Sequence, residues 1–303
     1  MTTTITEPAA APPSSPPPRP GWRRRAARFL HDHPKVRLAL LLALPLAWLL
    51  IAYLGSLASL LVTSLYTIND FTTEIVRKVS FDNFHELLTE PVYRTVFLRT
   101  IFVGAAVTVI DIVIAVPMAF YMAKVARPRL RRALVVALLM PLWASYLVKA
   151  YAWRTILASP GGVLDSSIGR TPGYGLTAVV IVLAYLWLPY MVLPIYAGLD
   201  RLPNSLLEAS ADLGGKAGLT FRKIVIPTLL PAIVAGSIFT FSLSIGDYIA
   251  VNIVGGTTQM IGTVVYANFA TNLPLAAAFA IGPVVIMLLY LFGARRMGAF
   301  ENL

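Results

Sequence analysis

Residues 202–227 read LPNSLLEASADLGGKAGLTFRKIVIP and join an apolar run at 177–199 to another at 224–253. Ser205 and Glu208 stand at capping-box spacing, which predicts a helix beginning at Ser205. Leu206, Ser210 and Leu213, with Leu207 and Ala211, form a short stripe of apolar and small residues, and Gly214 with Gly215 supplies a left-handed stop. A helix of about two turns is too short to hold alone in water, so it must pack against something. The loop is therefore a folded connector between two membrane-length runs.

The rest of the chain follows the same plan. Of 303 residues, 57% are hydrophobic and 13% charged, against about a quarter charged in an ordinary soluble domain. A mean hydropathy of +0.74 leaves more apolar side chain than one water-soluble core can bury, so the excess faces lipid. About 20 apolar residues cross the hydrocarbon core. On that measure the sequence predicts an all-α integral membrane protein with six spans, at roughly 38–65, 97–122, 133–151, 177–199, 224–253 and 275–293. The first and fifth runs are longer than needed and must tilt, kink or project. Pro45, Pro117, Pro189, Pro194, Pro227 and Pro231 are the expected kinks or ends.

Charge placement orients these spans. With the N-terminus in the cytoplasm, the inside segments hold 18 of the 25 Lys and Arg residues: seven from Arg19 to Arg37, five from Lys124 to Arg132, four from Arg201 to Lys223, then Arg295 and Arg296. Outside lie Arg77, Lys78, Arg94, Arg99, Lys149, Arg154 and Arg170, and the last outside loop, 254–274, has no charge. This satisfies the positive-inside rule for an N-in, C-in topology. The net charge of +11 is thus mostly an orientation signal, and no nucleic-acid partner is expected.

Residues 1–34 are expected to be a disordered Pro-rich stretch followed by a basic cytoplasmic tail. Its arginines either touch anionic membrane lipid or are merely solvated. Residues 35–94 hold the first span and an external loop, and the 28-residue run at 38–65 exceeds a signal-peptide core. Residues 95–293 form the core with its cytoplasmic loop at 200–223, and 294–303 a cytoplasmic tail. The external loop, about 66–94, carries Asp70, Glu74, Asp82, Glu86 and Glu90 among aromatics and short helix-like stretches. It reads as a docking surface for an external protein or as a plain solvated loop.

Several chemistries are excluded. There is no cysteine, hence no disulfide framework, Cys-ligated zinc or iron–sulfur cluster. His31, His33 and His85 lie outside the apolar runs and form no HExxH, so no metal or other cofactor is expected. The nearest fragment to a phosphate-binding loop, Gly214-Gly215-Lys216-Ala217, lacks the leading glycine and the Ser/Thr. The chain does not hydrolyse ATP by itself, and no acidic or histidine cluster within the spans suggests an enzyme.

The loop carries a resemblance. Glu208-Ala209-Ser210, three residues, Gly214, nine residues, Ile224, one residue and Ile226-Pro227 closely resembles the EAA loop of binding-protein-dependent ABC importer permeases. Ser210 replaces an alanine of that pattern and Ile226 a leucine. The resemblance implies a type I permease bundle whose loop is a coupling helix seated on a cytoplasmic ATPase dimer. Glu208, Ala209 and Ser210 would make that contact, Gly214 would allow the turn after it, and Ile224 and Pro227 would start the next span. A second permease subunit and an external solute-binding protein are the other implied partners, with alternating access driven by the ATPase.

Further similarity points to the spermidine/putrescine branch. Pro141-Leu142-Trp143, Leu147 to Tyr151, Ile156-Leu157 and Pro160-Gly161-Gly162 resemble its third-span region. Tyr185, Pro189-Tyr190-Met191, Pro194 and Tyr196 resemble its fourth, and Gly255-Gly256 follows the fifth as it does there. Permeases for ferric iron, thiosulfate and other small solutes share much of this frame.

Two carboxylates fall within predicted spans, Asp111 and Asp247. A charge at mid-membrane costs ~2.5–3.5 kcal/mol on insertion scales, so each should face protein or a water-filled path. Gly246 leaves backbone room beside Asp247, the first candidate to contact a cationic solute, with Asp111 second; a buried hydrogen bond is the alternative for both. Trp143, Tyr185, Trp187 and Tyr248, with Tyr146 and Tyr151, are candidate cation–π partners for alkylammonium groups, although Tyr and Trp also collect at membrane interfaces. The competing class is a self-sufficient secondary transporter or channel, which requires its own coupling residues and inverted repeats; no clear repeat is present.

Overall fold

A computed structural model describes residues 31–69, 72 and 74–296. The Pro-rich stretch, the arginines at 19–28, Asp70 and the last seven residues lie outside the described residues. The chain divides into two units, 1–58 and 59–303. Helix α1 (Pro34–Thr63) is a 30-residue apolar helix with none of its membrane-length window buried. Its leucines stand exposed, Leu44 at 81%, as side chains that contact lipid must. A widened π turn occupies Leu49–Leu54.

In the second unit, β1 (Thr67–Ile68) and β2 (Ile75–Val76) pair antiparallel, Thr67 opposite Val76 and Ile68 opposite Ile75. Helix α2 (Asp82–Thr89) follows, and Asn83 Nδ2 donates to the carbonyls of Ser64 (2.9 Å) and Tyr66 (2.7 Å), tying it to the end of α1. The external loop thus has a two-rung hairpin as well as the expected helix. The long helices are α3 (Pro91–Val125), α7 (Leu176–Arg201), α9 (Ala217–Gly246) and α12 (Leu273–Arg296). Between them lie α4 (Pro128–Trp143), α5 (Tyr146–Leu157), α6 (Val163–Ile168), α8 (Asn204–Asp212), α10 (Ile249–Val254) and α11 (Ile261–Asn268).

Helices α3, α7 and α9 pack on one another and form the centre of the unit. Lipid is as apolar as leucine, so this association rests on close packing rather than on water exclusion. Small residues supply it. A Cβ on Gly104 of α3 would lie 2.7 Å from Ile245 Cγ2 of α9, and one on Gly236 of α9 would lie 2.8 Å from Met191 Sδ of α7. Two apolar layers fill the centre. Val103, Val107, Val182, Leu183 and Val251 belong to one, and Ala115, Ala119, Met191, Ile195 and Leu229 to the other.

Two of the six expected spans are not continuous helices. The third is a pair, α4 and α5, bent by 96° at residues 144–145. Ala144 and Ser145 are extended there (ψ 142° and 135°). Pro141, three residues before the break, has no N–H to sustain the ladder. The fifth run ends at Gly246 and resumes as α10, because Asp247 is extended (ψ 124°). Its excess length is therefore a second, short helix rather than tilt. The second span starts at Pro91, ahead of the expected 97, since a proline opens a helix without loss of a bonded N–H.

Candidate functional site

Helix α8 is the connector read from the sequence, with one correction at its start. It opens at Asn204 after Pro203, and no side chain caps it. Ser205 therefore sits inside the first turn, and the Ser205–Glu208 capping box does not form. The fixed φ of Pro203, −64°, starts the turn instead. At the other end Gly214 adopts φ +75°, a left-handed conformation that costs a residue with a Cβ about 1–2 kcal/mol. Gly215 N–H then donates to the Ser210 carbonyl at 2.8 Å.

One edge of α8 is anchored. Lys124, at the end of α3, donates to the Leu202 carbonyl (2.6 Å) and to Asn204 Oδ1 (3.0 Å). Leu207 packs on the apolar layer of Leu199, Leu202 and Val225, and the Ser210 and Thr220 hydroxyls share a hydrogen bond of 2.7 Å. Phe120 and Phe221 meet edge to face beside it, centroids 5.6 Å apart. The opposite edge is free: Leu206, Glu208, Ala209 and Leu213 are exposed, Leu213 at 90%. Glu208 has no hydrogen-bond or ion-pair partner among the described residues. Ile224 lies in the π turn Phe221–Val225, and Pro227 in the first turn of the α-helical segment that follows. Lys124 entered the sequence reading only as an inside charge; its role as an anchor depends on the meeting of α3 and α8.

The second site forms where the two broken spans meet. Tyr146, the first residue of α5, donates its hydroxyl hydrogen to Asp247 Oδ2. Asp247 Oδ1 accepts the Ala250 N–H at 2.9 Å, so this carboxylate caps the first turn of α10. Asp247 is 8% exposed, and both its oxygens are occupied by the chain. A pocket of about 290 Å³ opens beside it, walled by Tyr146, Trp187, Tyr248 and Ser242 among others. The Tyr146 and Trp187 rings stack with centroids 6.0 Å apart. Gly246 has open space where a Cβ would stand. Gly262 of α11 is needed for the opposite reason: its Cβ would lie 3.1 Å from the carbonyl oxygens of Gly246 and Asp247.

Of the pathway residues expected from sequence, Asp247, Tyr248 and Trp187 come together here. Three others stand elsewhere. Trp143 is at the exposed end of α4, at 86% exposure. Tyr185 packs on Trp153 at 5.3 Å between centroids. Asp111 is fully buried in α3, with neither carboxyl oxygen hydrogen-bonded. The sequence offers Tyr146 only as a cation–π candidate; the bend at 144–145 is what brings its hydroxyl to Asp247. Among the described residues no three His, Asp or Glu side chains gather as metal ligands would.

The second unit holds four helices of membrane length and one bent pair, with an anchored amphipathic helix on a loop and an open pocket beside Asp247 at two helix breaks, the arrangement of a membrane transport permease. The chain matches the family model described as binding-protein-dependent transport system inner membrane component over residues 94–300, and it belongs to that family. It is thus a multi-pass inner-membrane protein. It is 40% identical to the inner membrane ABC transporter permease protein YdcU of Escherichia coli (strain K12), across 94% of this chain and 97% of YdcU. It is 30% identical to the spermidine/putrescine transport system permease protein PotB of Haemophilus influenzae, across 74% of this chain and 81% of that one. In fold it resembles a chain of a bacterial alginate ABC transporter crystallised with its pentasaccharide-bound periplasmic protein. That likeness has a TM-score of 0.68 at 16% identity and covers 89% of this chain and 96% of the other.

Proposed function

We propose that this permease imports polyamines such as spermidine and putrescine, with ATP hydrolysed by a separate cytoplasmic ATPase dimer. The observation that carries the solute class is the Asp247 carboxylate in a pocket walled by Tyr146, Trp187 and Tyr248. A carboxylate attracts an ammonium group, and aromatic faces hold its alkyl flanks and charge by cation–π attraction, worth up to about 2 kcal/mol when desolvated. An inorganic oxyanion would meet repulsion at the same place. The similarity to a spermidine/putrescine permease supports the reading.

In this proposal both termini lie in the cytoplasm, and the exposed edge of α8, with Glu208 and Ala209, seats in the ATPase. Gly214 allows the chain to turn back, and Ile224 and Pro227 carry the motion into α9. A second permease subunit completes the pathway, and an external solute-binding protein delivers the solute. The test is uptake of labelled spermidine and putrescine by cells with and without this chain, with unlabelled polyamine, ferric citrate and thiosulfate as competitors. Uptake that depends on the chain and yields only to polyamines is the expected result. Dependence that yields to ferric citrate or thiosulfate instead overturns the solute assignment and leaves the importer class standing.

A further inference from the structure

The two helix breaks are joined at more than one point. Beyond the Tyr146–Asp247 hydrogen bond, Arg154 Nη1 of α5 donates to the Ile253 carbonyl of α10 at 2.9 Å. Between these ties Ala150 of α5 and Val251 of α10 are fully buried in one apolar layer. α5 and α10 are thus tied to each other, join α4 and α9 through extended backbone at residues 144–145 and 247, and pack on α3 and α7 through the layer of Val103, Val107 and Val182.

A buried carboxylate must keep its oxygens partnered. The Ala250 N–H and the Tyr146 hydroxyl do this for Asp247. We propose that Tyr146 is a specificity-determining gate residue: its hydroxyl holds Asp247 in the empty permease, and a solute ammonium takes the carboxylate from it. Release of Tyr146 then loosens the joint between the two helix breaks. The exchange favours cations for a physical reason. Phenol and ammonium both bond the charged acceptor, but only the ammonium adds the Coulomb attraction of a full opposite charge, so an ammonium displaces the phenol where a neutral hydroxyl only matches it. The Tyr146 ring also lies on Trp187, so its departure reshapes the wall of the same pocket.

The solute half of this inference rests on the polyamine reading; the latch half does not. The chain has no cysteine, so a single Ser242→Cys at the exposed pocket wall reports opening, through its rate of modification by a membrane-impermeant methanethiosulfonate in whole cells carrying the complete transporter. Without polyamine, Tyr146→Phe is expected to raise that rate by about tenfold or more, the equivalent of one hydrogen bond to a charged group. Asp247→Asn keeps a neutral partner for both Tyr146 and Ala250 and should raise the rate by less than Tyr146→Phe does. Should Tyr146→Phe reach the membrane poorly, the double variant Tyr146→Phe/Asp247→Asn, which orphans no charge, is expected to label as fast. A parental rate in Tyr146→Phe, or in the double variant where Tyr146→Phe is poorly inserted, overturns the latch. Putrescine should accelerate labelling of the parent and add little in Tyr146→Phe. If only the putrescine effect is missing, the latch stands and the polyamine reading falls.

Discussion

Replacing Asp247 separates its charge from its hydrogen bonds. Asp247 is 8% exposed, accepts the Ala250 N–H at 2.9 Å and holds the Tyr146 hydroxyl. In Asp247→Asn the amide oxygen still accepts from Ala250 and the amide nitrogen donates to Tyr146, so the helix break remains satisfied. What is lost is the charge presented to a cation. A hydrogen bond to a charged partner contributes about 1.5–3 kcal/mol and a neutral one about 0.5–1.5. The difference, roughly 1–1.5 kcal/mol, corresponds to about a tenfold weaker apparent affinity. Asp247→Ala differs in kind. It strands the buried Ala250 N–H at about 1–3 kcal/mol and leaves the half-buried Tyr146 hydroxyl without its partner, so the folded amount itself should fall. The assay is the concentration dependence of labelled spermidine uptake, normalised to permease in the membrane fraction by immunoblot. The expected pattern is a normal amount with a tenfold higher half-saturation for Asn, and a reduced amount for Ala. Unchanged uptake by Asp247→Asn, or an equal loss of protein in both variants, would refute the reasoning.

Two further outcomes test other parts of the molecule. Glu208→Lys reverses a charge on the exposed edge of α8 that has no partner within the described chain; transport should be abolished and co-purification of the ATPase lost at a normal membrane level, and normal transport would remove Glu208 from the coupling surface. Gly104→Leu places a side chain where a Cβ alone already lies 2.7 Å from Ile245; overpacking of about 1–3 kcal/mol should lower the melting temperature of the detergent-purified complex, and an unchanged value would mean that α3 and α9 do not pack so closely.

Periodicity and hydropathy made the bundle legible, because each membrane-length run must satisfy its backbone within itself. The spacing from Glu208 to Pro227 likewise placed a short helix and its glycine stop between two spans, and α8 lies there with Gly214 at φ +75°. The capping box failed because Pro203 started the turn one residue earlier. The break at 144–145 was illegible for a similar local reason: Ala144 and Ser145 carry no strong breaker signal, and Pro141 is compatible with a mere kink.

What the sequence determined by itself is therefore the set of properties that act residue by residue or at short range: membrane insertion, the placement of charge by loop, and the family pattern of the connecting loop. The partners across the chain were decided by tertiary structure. Lys124 meets Leu202, and Tyr146 meets Asp247, across 78 and 101 residues respectively. Such pairings depend on how α3, α7 and α9 pack and on the angle at a helix break. A run of apolar side chains specifies burial in lipid, but not which neighbour its one polar residue will face.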